Sequence, residues 1–494
     1  MLNPIRRIQQ LRQKPTLTSA NRTTFTHEQW KGNRTKFILQ TTAGGIAFML
    51  WFLACCSYLF GTLYKSPVRH DKLHFLAVDY DGGVVGQAMT AAYHQLEGPT
   101  FFTLEYHSAE EYPTQEDIYH AVWEGRYWAS IAVSAGASQR LSAALEGGEA
   151  AASYNPANAL HYVWNQQRYS AFSNSAILSS MQQLIGATRI AYNKMNGTQA
   201  AQFLNGTDPA AVQAFMNPIA ATERNIKPAP FGSVILLNTV AMAMPVLQQF
   251  FFLLVLNGVV GKHNLYTKMT VYSSLLVRRV AGILYTCGAA LCQAGYFWAF
   301  DENWNVNGNQ FVLTWMTLWL LMHVHFLVLD SISTVAPLPV MPFVVLAYIF
   351  INIASSLSPL ELQAGFYHWG IALPSYNAYS IFVTIWTGGS TNRLYRALPI
   401  LFAWWIVGNL AASATHVRAC HLAYKFQQED GAAATTPAKD EEAPEEPNDS
   451  TNEAPISRMT TSRTAVSALE RQRTVEERAT EHRIVYGPSM PPFA

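Results

Sequence analysis

The sequence FILQTTAGGIAFMLWFLACCSYLFGTLY, residues 37–64, decides the fold class because it is predominantly apolar and has no charged side chain. A helix needs about 20 apolar residues to cross about 30 Å of hydrocarbon, and this segment is longer. Before it stands one acid, Glu28, among many basic side chains: Arg6, Arg7, Arg12, Lys14, Arg22, Lys31, Arg34 and Lys36. The positive-inside rule therefore places the N-terminus in the cytosol. A cleaved signal peptide would have a shorter apolar core nearer the start, so we predict a retained anchor.

Five further apolar segments are long enough, or nearly so, to cross a membrane. They are residues 234–260, 280–300, 311–331, 343–357 and 398–417. The first of them is followed by Lys262, Lys268 and Arg278, which mark a cytosolic loop. The segment 280–300 is an outward crossing and is followed by Asp301. Six crossings therefore place both termini in the cytosol.

Residues 364–389 do not fit a simple crossing. The segment is apolar and aromatic, but it contains His368, Pro374 and Asn377. A seventh crossing would place Arg418 and Lys425 outside, against the positive-inside rule. We therefore predict a re-entrant hairpin on the outer face, where irregular backbone is tolerated if protein surrounds it. Seven crossings are the alternative.

These segments predict an α-helical polytopic membrane protein of about six transmembrane helices, with a mixed α/β extracytoplasmic domain inserted between helices 1 and 2. Its parts are a basic cytosolic tail at 1–36, helix 1 at 37–64, the α/β domain at 65–232, a five-helix membrane domain at 233–425 and a cytosolic tail at 426–494. The last part is acidic and rich in proline, which predicts disorder. Sequons beginning at Asn196 and Asn205 predict glycosylation of the α/β domain.

Within the α/β domain, short apolar runs alternate with helical patterns. Strand signals lie at 73–78, 101–106 and 127–133, and helical signals lie at 116–124, 136–145 and 175–203. The first strand signal leads into Asp79-Tyr-Asp81-Gly82-Gly83, which is similar to the aspartyl nucleophile loop of haloacid-dehalogenase-type phosphatases. Gly83 stands where that chemistry needs threonine, and no downstream acidic pair follows. We therefore interpret the motif as a polar turn, with a calcium site as the alternative.

Other patterns exclude several function classes. The chain has no P-loop motif and no Gly-x-Ser-x-Gly motif, so it neither binds ATP in that way nor resembles a serine hydrolase. Its formal net charge of +1 and its lack of a basic stripe give no reason to expect nucleic acid as a partner. We expect no catalytic residues, no metal, no cofactor and no enzyme activity.

Ionisable and polar residues within membrane segments are costly and therefore informative. His323 and Asp330 are seven residues apart, which places them on one helix face. With Asn238 and Gln248 they are candidates for a polar path through the membrane. The alternative interpretation is hydrogen bonding between packed helices.

The predicted hairpin supplies candidates for a gate on the outer side. They are Trp369, Pro374, Tyr376 and Trp386. Aromatic rings favour the headgroup level, and proline breaks a helix that would cross here. An aromatic anchor that only sets the depth of neighbouring helices is the alternative.

Several motifs are similar to a known family. They are VDYDG at 78–82, WEGRYWASI at 123–131, GFYHWGIALP at 365–374 followed by Asn377, IWTGG at 385–389 and LPIL at 398–401. Through them residues 37–425 resemble the fungal nitrosoguanidine-resistance family of multi-pass membrane proteins, with a more distant similarity to ABC-2-type and phage-infection-protein-like membrane proteins. The resemblance implies resistance to toxic compounds and a plasma-membrane location, with the vacuolar or endosomal membrane as the alternative. It implies no catalytic residues.

Two functions are expected from these features. The first is a transport-related protein, an ABC-2-like permease without its own ATPase, that acts on membrane lipids or amphipathic drugs. The alternative is a non-transporting regulator or scaffold that affects lipid asymmetry or other transporters. A second copy of the chain or a transporter is left open as a partner.

Overall fold

The computed structural model describes residues 24–229, 232–301 and 304–435. The chain divides into two compact units between Ser57 and Tyr58. A 3-10 turn at Glu28–Trp30 precedes helix α1, Lys31–Leu63, which begins six residues before the predicted first span and ends one residue before its predicted end. Of the predicted tails at 1–36 and 426–494, residues 1–23 and 436–494 lie outside the described residues, and residues 426–435 belong to the last helix.

The larger unit begins with an α/β domain built on a five-stranded sheet. The strands are β1 His74–Asp79, β2 Thr103–His107, β3 Ala129–Val133, β4 Leu160–Trp164 and β5 Ala221–Asn225. Their order is β2-β1-β3-β4-β5. β1 pairs in parallel with β2 and β3, while β4 is antiparallel to β3 and parallel to β5. The first three strands coincide with the predicted strand signals, whereas β4 and β5 were not predicted.

Helices cover both faces of this sheet. They are α2 Val84–Leu96, α3 Gln115–Trp123, α4 Ala137–Glu146, α5 Ser179–Phe203 and α6 Pro209–Met216. Phe75 and Ala77 of β1 belong to the core formed with α2 and α5, whereas Leu76 and Val78 pack with α3. This is the alternation that a strand buried on both faces requires.

Shorter elements connect these helices and strands. Two are short helices, Gly148–Ala152 and Ser170–Phe172, and one is a π-helical turn, Ser173–Leu178. The others are 3-10 turns at Ser66–Lys72, Pro156–Asn158 and Gln166–Tyr169.

The rest of the larger unit is helical. Its helices are α7 Val240–His263, α8 Val271–Ala299, α9 Gly308–Ser333, α10 Met341–Leu357, α11 Pro374–Trp386 and α12 Leu394–Thr435. The predicted hairpin consists of a 3-10 helix, Gly365–Ala372, followed by α11. α8 begins nine residues before the predicted span at 280–300, and α12 continues past the predicted end of the membrane domain at residue 425.

Among the described residues, five helices are long and apolar enough to cross a membrane: α1, α7, α8, α9 and α12. α10 is apolar but has only 17 residues. The chain thus has the architecture of a polytopic membrane protein, while the count of six crossings and the side of the α/β domain stay predictions. We call the end of the bundle where α7 begins the proximal end, and the opposite end the distal end.

Helix α9 lies at the centre of the bundle. In the most apolar 18-residue stretch of α9, 56% of the residues are buried. The corresponding share in α7, α8 and α12 is 33% or less. Helix α9 packs against α7, α8, α11 and α12. Close approach is possible because Gly282 of α8 faces Phe326 and Gly408 of α12 faces Leu327, where a larger residue would collide.

The hydrophobic core of the α/β domain continues into the proximal end of the bundle. One cluster of buried side chains includes Trp164 of β4, Trp304 before α9 and Trp386 of α11. Trp304 donates a hydrogen bond from Nε1 to Gln167 Oε1 at 2.6 Å, and its ring lies 4.8 Å from that of Trp386. The α/β domain and the proximal end therefore share one packed core.

Candidate functional site

A buried ion pair joins two of the apolar helices. Arg278 of α8 donates to Asp330 Oδ1 of α9 from Nε at 2.8 Å and from Nη2 at 2.5 Å. The two side chains are only 2% and 3% exposed. The same Nη2 donates to Asn257 Oδ1 of α7 at 2.7 Å. Arg278, Asp330 and Asn257 form what we call the ion-pair cluster.

The local sequence explains how this arginine enters the bundle. Thr270 accepts a hydrogen bond from Ser273 N and so begins α8 at Val271, well before the predicted span. Arg278 is seven residues further along, about 10 Å into the helix at a rise of 1.5 Å per residue. The basic residues predict a loop at Arg278, and this prediction is wrong because the N-terminal cap at Thr270 starts the helix before Arg278.

The cluster extends from Arg278 to its neighbour Arg279. Arg279 Nη2 donates to Asn409 O and Ser413 Oγ of α12, each at 3.1 Å. The Nη1 atoms of Arg278 and Arg279 are buried and have no hydrogen-bond partner within the described part of the chain. Two guanidinium groups thus carry donors beyond those that the surrounding helices use.

Toward the distal end the polar contacts continue on α8 and α12. His416 Nε2 lies 2.9 Å from Ser274 Oγ, and Cys420 Sγ lies 3.5 Å from the same ring nitrogen. The ring of Tyr266 stands 5.3 Å from that of His416 at a steep angle. His416, Ser274 and Cys420 are buried, so this group extends the ion-pair cluster toward the distal surface.

Toward the proximal end the polar groups are spaced further apart. His323 Nδ1 of α9 lies 3.5 Å from Thr286 Oγ1 of α8, two turns from the ion pair. Gln249 of α7 is fully buried, and neither polar atom of its side chain has a partner among the residues described. Gln248, its neighbour, also has a buried unpartnered oxygen, while its carbonyl accepts from Tyr285 at 3.3 Å.

The four residues predicted for the polar path therefore have different surroundings. His323 and Asp330 both face α8, and Asp330 pairs with Arg278. Asn238 lies at the proximal end, where its Nδ2 donates to Leu357 O at 2.9 Å and its carbonyl accepts from Ser356. Asn238 thus ties the start of α7 to the end of α10.

The residues predicted for the gate do not form one surface. Trp386 is fully buried and donates from Nε1 to Thr314 Oγ1 at 3.0 Å, whereas Trp369 is 43% exposed. Pro374 is the buried first residue of α11, where a missing backbone donor costs nothing. Tyr376 lies near Arg396, whose guanidinium carbon is 5.5 Å from its ring centre.

The loop after Trp386 meets the α/β domain in a compact joint. Thr391 N and Ser390 Oγ donate to the carbonyl of Trp123 at 2.7 and 2.8 Å. Arg393 Nη2 donates to Gly125 O at 3.1 Å. We call these five residues the domain joint. It joins the WEGRYWASI motif to the residues that directly follow the IWTGG motif, far away in the sequence.

The turn after β1 uses its carboxylates in local bonds. Asp79 Oδ1 accepts from Asp81 N and Gly82 N at 2.9 and 3.1 Å. Asp81 accepts from Ser138 N at 3.0 Å and from the Ser138 hydroxyl. In the described ranges no three His, Cys, Asp or Glu side chains are grouped so as to bind a metal. The geometry therefore agrees with a polar turn.

The two predicted glycosylation sites differ in surroundings. Asn205 is exposed in the turn before α6, where its Oδ1 accepts from Thr207 N and Oγ1. Asn196 is half-buried on α5 and donates to the hydroxyl of Tyr192 at 3.2 Å. Glycosylation at either position stays a prediction.

Comparison with known families adds one finding. The family described as "Protein of unknown function (DUF3533)" matches residues 45–410, which include the whole α/β domain, the ion-pair cluster and the domain joint. The chain belongs to this family. No solved structure matches the chain. The match thus groups this architecture with a family whose description assigns no activity.

Proposed function

We propose that this family member is a transport-related membrane protein, an ABC-2-like permease without its own ATPase that acts on lipids or amphipathic drugs. In this proposal the chain contributes to resistance to toxic compounds such as nitrosoguanidine, and the α/β domain lies outside the cytosol. Its location is the plasma membrane.

The observation that carries the proposal is the ion-pair cluster. Burying two charges costs several kcal/mol per ion, and hydrophobic residues of the same volume stabilise a bundle as well or better. Charged residues inside apolar helices are therefore functional candidates by default. Arg278, Arg279 and Asp330 lie where α7, α8, α9 and α12 come close, so a change in this pairing would alter how those helices pack.

Buried atoms without partners support the same proposal. In the described helices, Gln248, Gln249 and both arginines have polar side-chain atoms that no other group satisfies. Unsatisfied polar groups cost energy in a membrane interior, so each needs a partner such as a buried water or a polar group that the bundle takes up.

The test compares resistance conferred by three forms of the chain at equal abundance. The first is the natural sequence, and the second is Arg278→Met with Asp330→Leu, which removes both charges together and keeps the buried volume. The matched control makes the same kind of change, Arg224→Met with Glu116→Leu, at the exposed pair on the α/β domain, whose atoms are 2.6 Å apart.

We expect the natural chain and the surface-pair variant to confer equal resistance to nitrosoguanidine, and the buried-pair variant to confer none. Full resistance in the buried-pair variant would remove the ion-pair cluster as the site. Cells that gain no resistance from the natural chain would contradict the proposed function.

A further inference from the structure

A cavity of about 260 Å³ lies at the proximal end of α7 and α8. Its walls come from the 3-10 turn Ser233–Leu236, the start of α7, the end of α8 and Trp304. Among the described residues the lining is mostly apolar, and the hydroxyl of Ser233 already donates to Phe300 O at 2.5 Å. The cavity therefore offers hydrocarbon contacts and almost no hydrogen bonds.

The walls of the cavity differ in exposure. Val234, Ala241 and Trp304 are buried against the protein core. Leu236, Val240 and Phe300 are 49%, 43% and 65% exposed on the outside of the bundle. Because α7 and α8 are apolar enough to cross a membrane, that outer wall would face lipid in a membrane. The cavity thus opens sideways, where the surrounding molecules are lipid chains.

The volume limits what can enter. It exceeds the roughly 150 Å³ of a cavity that takes up benzene, and it falls below the roughly 300–1,000 Å³ of sites that enclose a drug-sized molecule. A segment of a flexible hydrocarbon chain fits between these limits. The position at the helix ends would lie near the membrane interface, where exposed rings such as that of Tyr296 concentrate.

A cationic group stands next to the cavity. Lys227 Nζ donates to Asn305 O at 2.5 Å, and Asn305 directly follows Trp304 of the wall. An ammonium group has three donors, and this bond uses one. Burial lowers the pKa of Lys227 below its ordinary value. An anionic group close to Lys227 would stabilise its charged form, which burial disfavours.

We propose that the cavity binds one acyl chain of a phospholipid, with the phosphate of the same lipid beside Lys227. The lipid enters sideways between the outer wall residues from the leaflet at the proximal end. This inference goes beyond the proposed function, because the lipid binds here whether or not the bundle transports it.

The test uses two valine positions on the same helix. Val240 lines the cavity and Val259 does not, yet the two are similarly exposed, at 43% and 48%. Tryptophan is tolerated at either site because both side chains are on the lipid-facing surface near a helix end. Val240→Trp closes the opening of the cavity, and Val259→Trp is the matched control.

The purified full chain in detergent is titrated with 1-palmitoyl-2-oleoyl phosphatidylcholine, and retained lipid is counted by native mass spectrometry. We expect one retained lipid on the natural chain and on Val259→Trp, and at least tenfold weaker retention on Val240→Trp. Equal retention on Val240→Trp and Val259→Trp would overturn the proposal.

A second titration examines the headgroup. Lys227→Gln should weaken retention of phosphatidylcholine severalfold and leave retention of a diacylglycerol, which has no phosphate, unchanged. Equal loss for both lipids, or no loss for either, would contradict the role of Lys227. These experiments measure binding alone, so a failure of transport leaves their outcome unaffected.

Discussion

Replacing Gly125 with alanine should loosen the domain joint. Gly125 has φ +77°, a left-handed conformation that costs an L-residue about 1–2 kcal/mol. An added Cβ would lie 2.9 Å from Thr391 Cγ2 and 3.2 Å from Thr391 Cα, so the loop must move. That movement stretches the 2.7 Å bond from Thr391 N to Trp123 O, a bond worth about 0.5–1.5 kcal/mol. Together these terms give a loss of about 1.5–3.5 kcal/mol in the free energy of unfolding.

Gly148 supplies a matched control for this prediction. Its φ is +68°, and a Cβ there would meet nothing within 4 Å. Gly148→Ala should therefore lose only the stability that backbone strain costs. The difference in the free energy of unfolding between Gly148→Ala and Gly125→Ala then measures the contribution of the domain joint. Adding Thr391→Gly to Gly125→Ala should recover most of that difference, because it removes Cγ2 and suits the φ of +53° at Thr391.

The assay is unfolding of the purified chain by sodium dodecyl sulphate in mixed micelles, followed by tryptophan fluorescence. A Gly125→Ala variant that is no less stable than Gly148→Ala would refute the reasoning. Displacing the loop at Thr391 would then cost no stability. Failure of Thr391→Gly to restore stability would show that Thr391 is not the colliding group.

Three further predictions follow from buried groups. Asp330→Leu leaves the charge of Arg278 unpaired and should cost about 3–5 kcal/mol in the same unfolding assay, while adding Arg278→Met should return stability to near the natural value. Burial, and then the charge of Arg224, lower the pKa of His161 from 6.5 to about 4. Below pH 6.5 the unfolded chain therefore takes up a proton that the folded chain refuses, so stability should fall by about 3 kcal/mol between pH 6.5 and 4. His161→Leu should remove this part of the pH dependence, which a titration of unfolding against pH would show. Trp386→Ala should cost about 3–5 kcal/mol because the side chain is fully buried, whereas Trp369→Ala should cost far less; equal losses in the unfolding assay would contradict this.

Much of the fold could be predicted from the sequence because burial controls the spacing of apolar residues along each strand and helix. β1, β2 and β3 lie at the predicted strand signals, and α9 contains the predicted span at 311–331. β4 was missed because His161 interrupts an otherwise apolar strand. β5 was missed because it is a polar edge strand. It is held by contacts such as the hydrogen bond from Trp164 Nε1 to Glu223 Oε1 at 2.8 Å, which no local sequence pattern reveals.

The candidate site could be predicted only in part for a similar reason. Asp330 could be predicted because it is a lone acid in an apolar segment. Its partner, Arg278, lies on another helix and is 52 residues away in the sequence. Arg278 and Arg279 are adjacent basic residues close to Lys268, a pattern that also suits a loop. Only the cap at Thr270 shows that the helix has already begun. The domain joint is likewise invisible in sequence, since Trp123 and Thr391 meet only in the folded chain.

The most direct test of transport measures flux in vesicles that contain only the purified protein. A fluorescent phospholipid and an amphipathic dye are loaded separately, and their movement across the membrane is followed over time. The natural chain is compared with the double variant Arg278→Met, Asp330→Leu, which the charge argument predicts to be as stable.

We predict that the natural chain moves at least one of the two compounds faster than protein-free vesicles do, and that the double variant does not. A natural chain that is folded in the vesicles yet moves neither compound faster than lipid alone would contradict transport. That result would favour the alternative, a non-transporting regulator or scaffold that affects lipid asymmetry or other transporters.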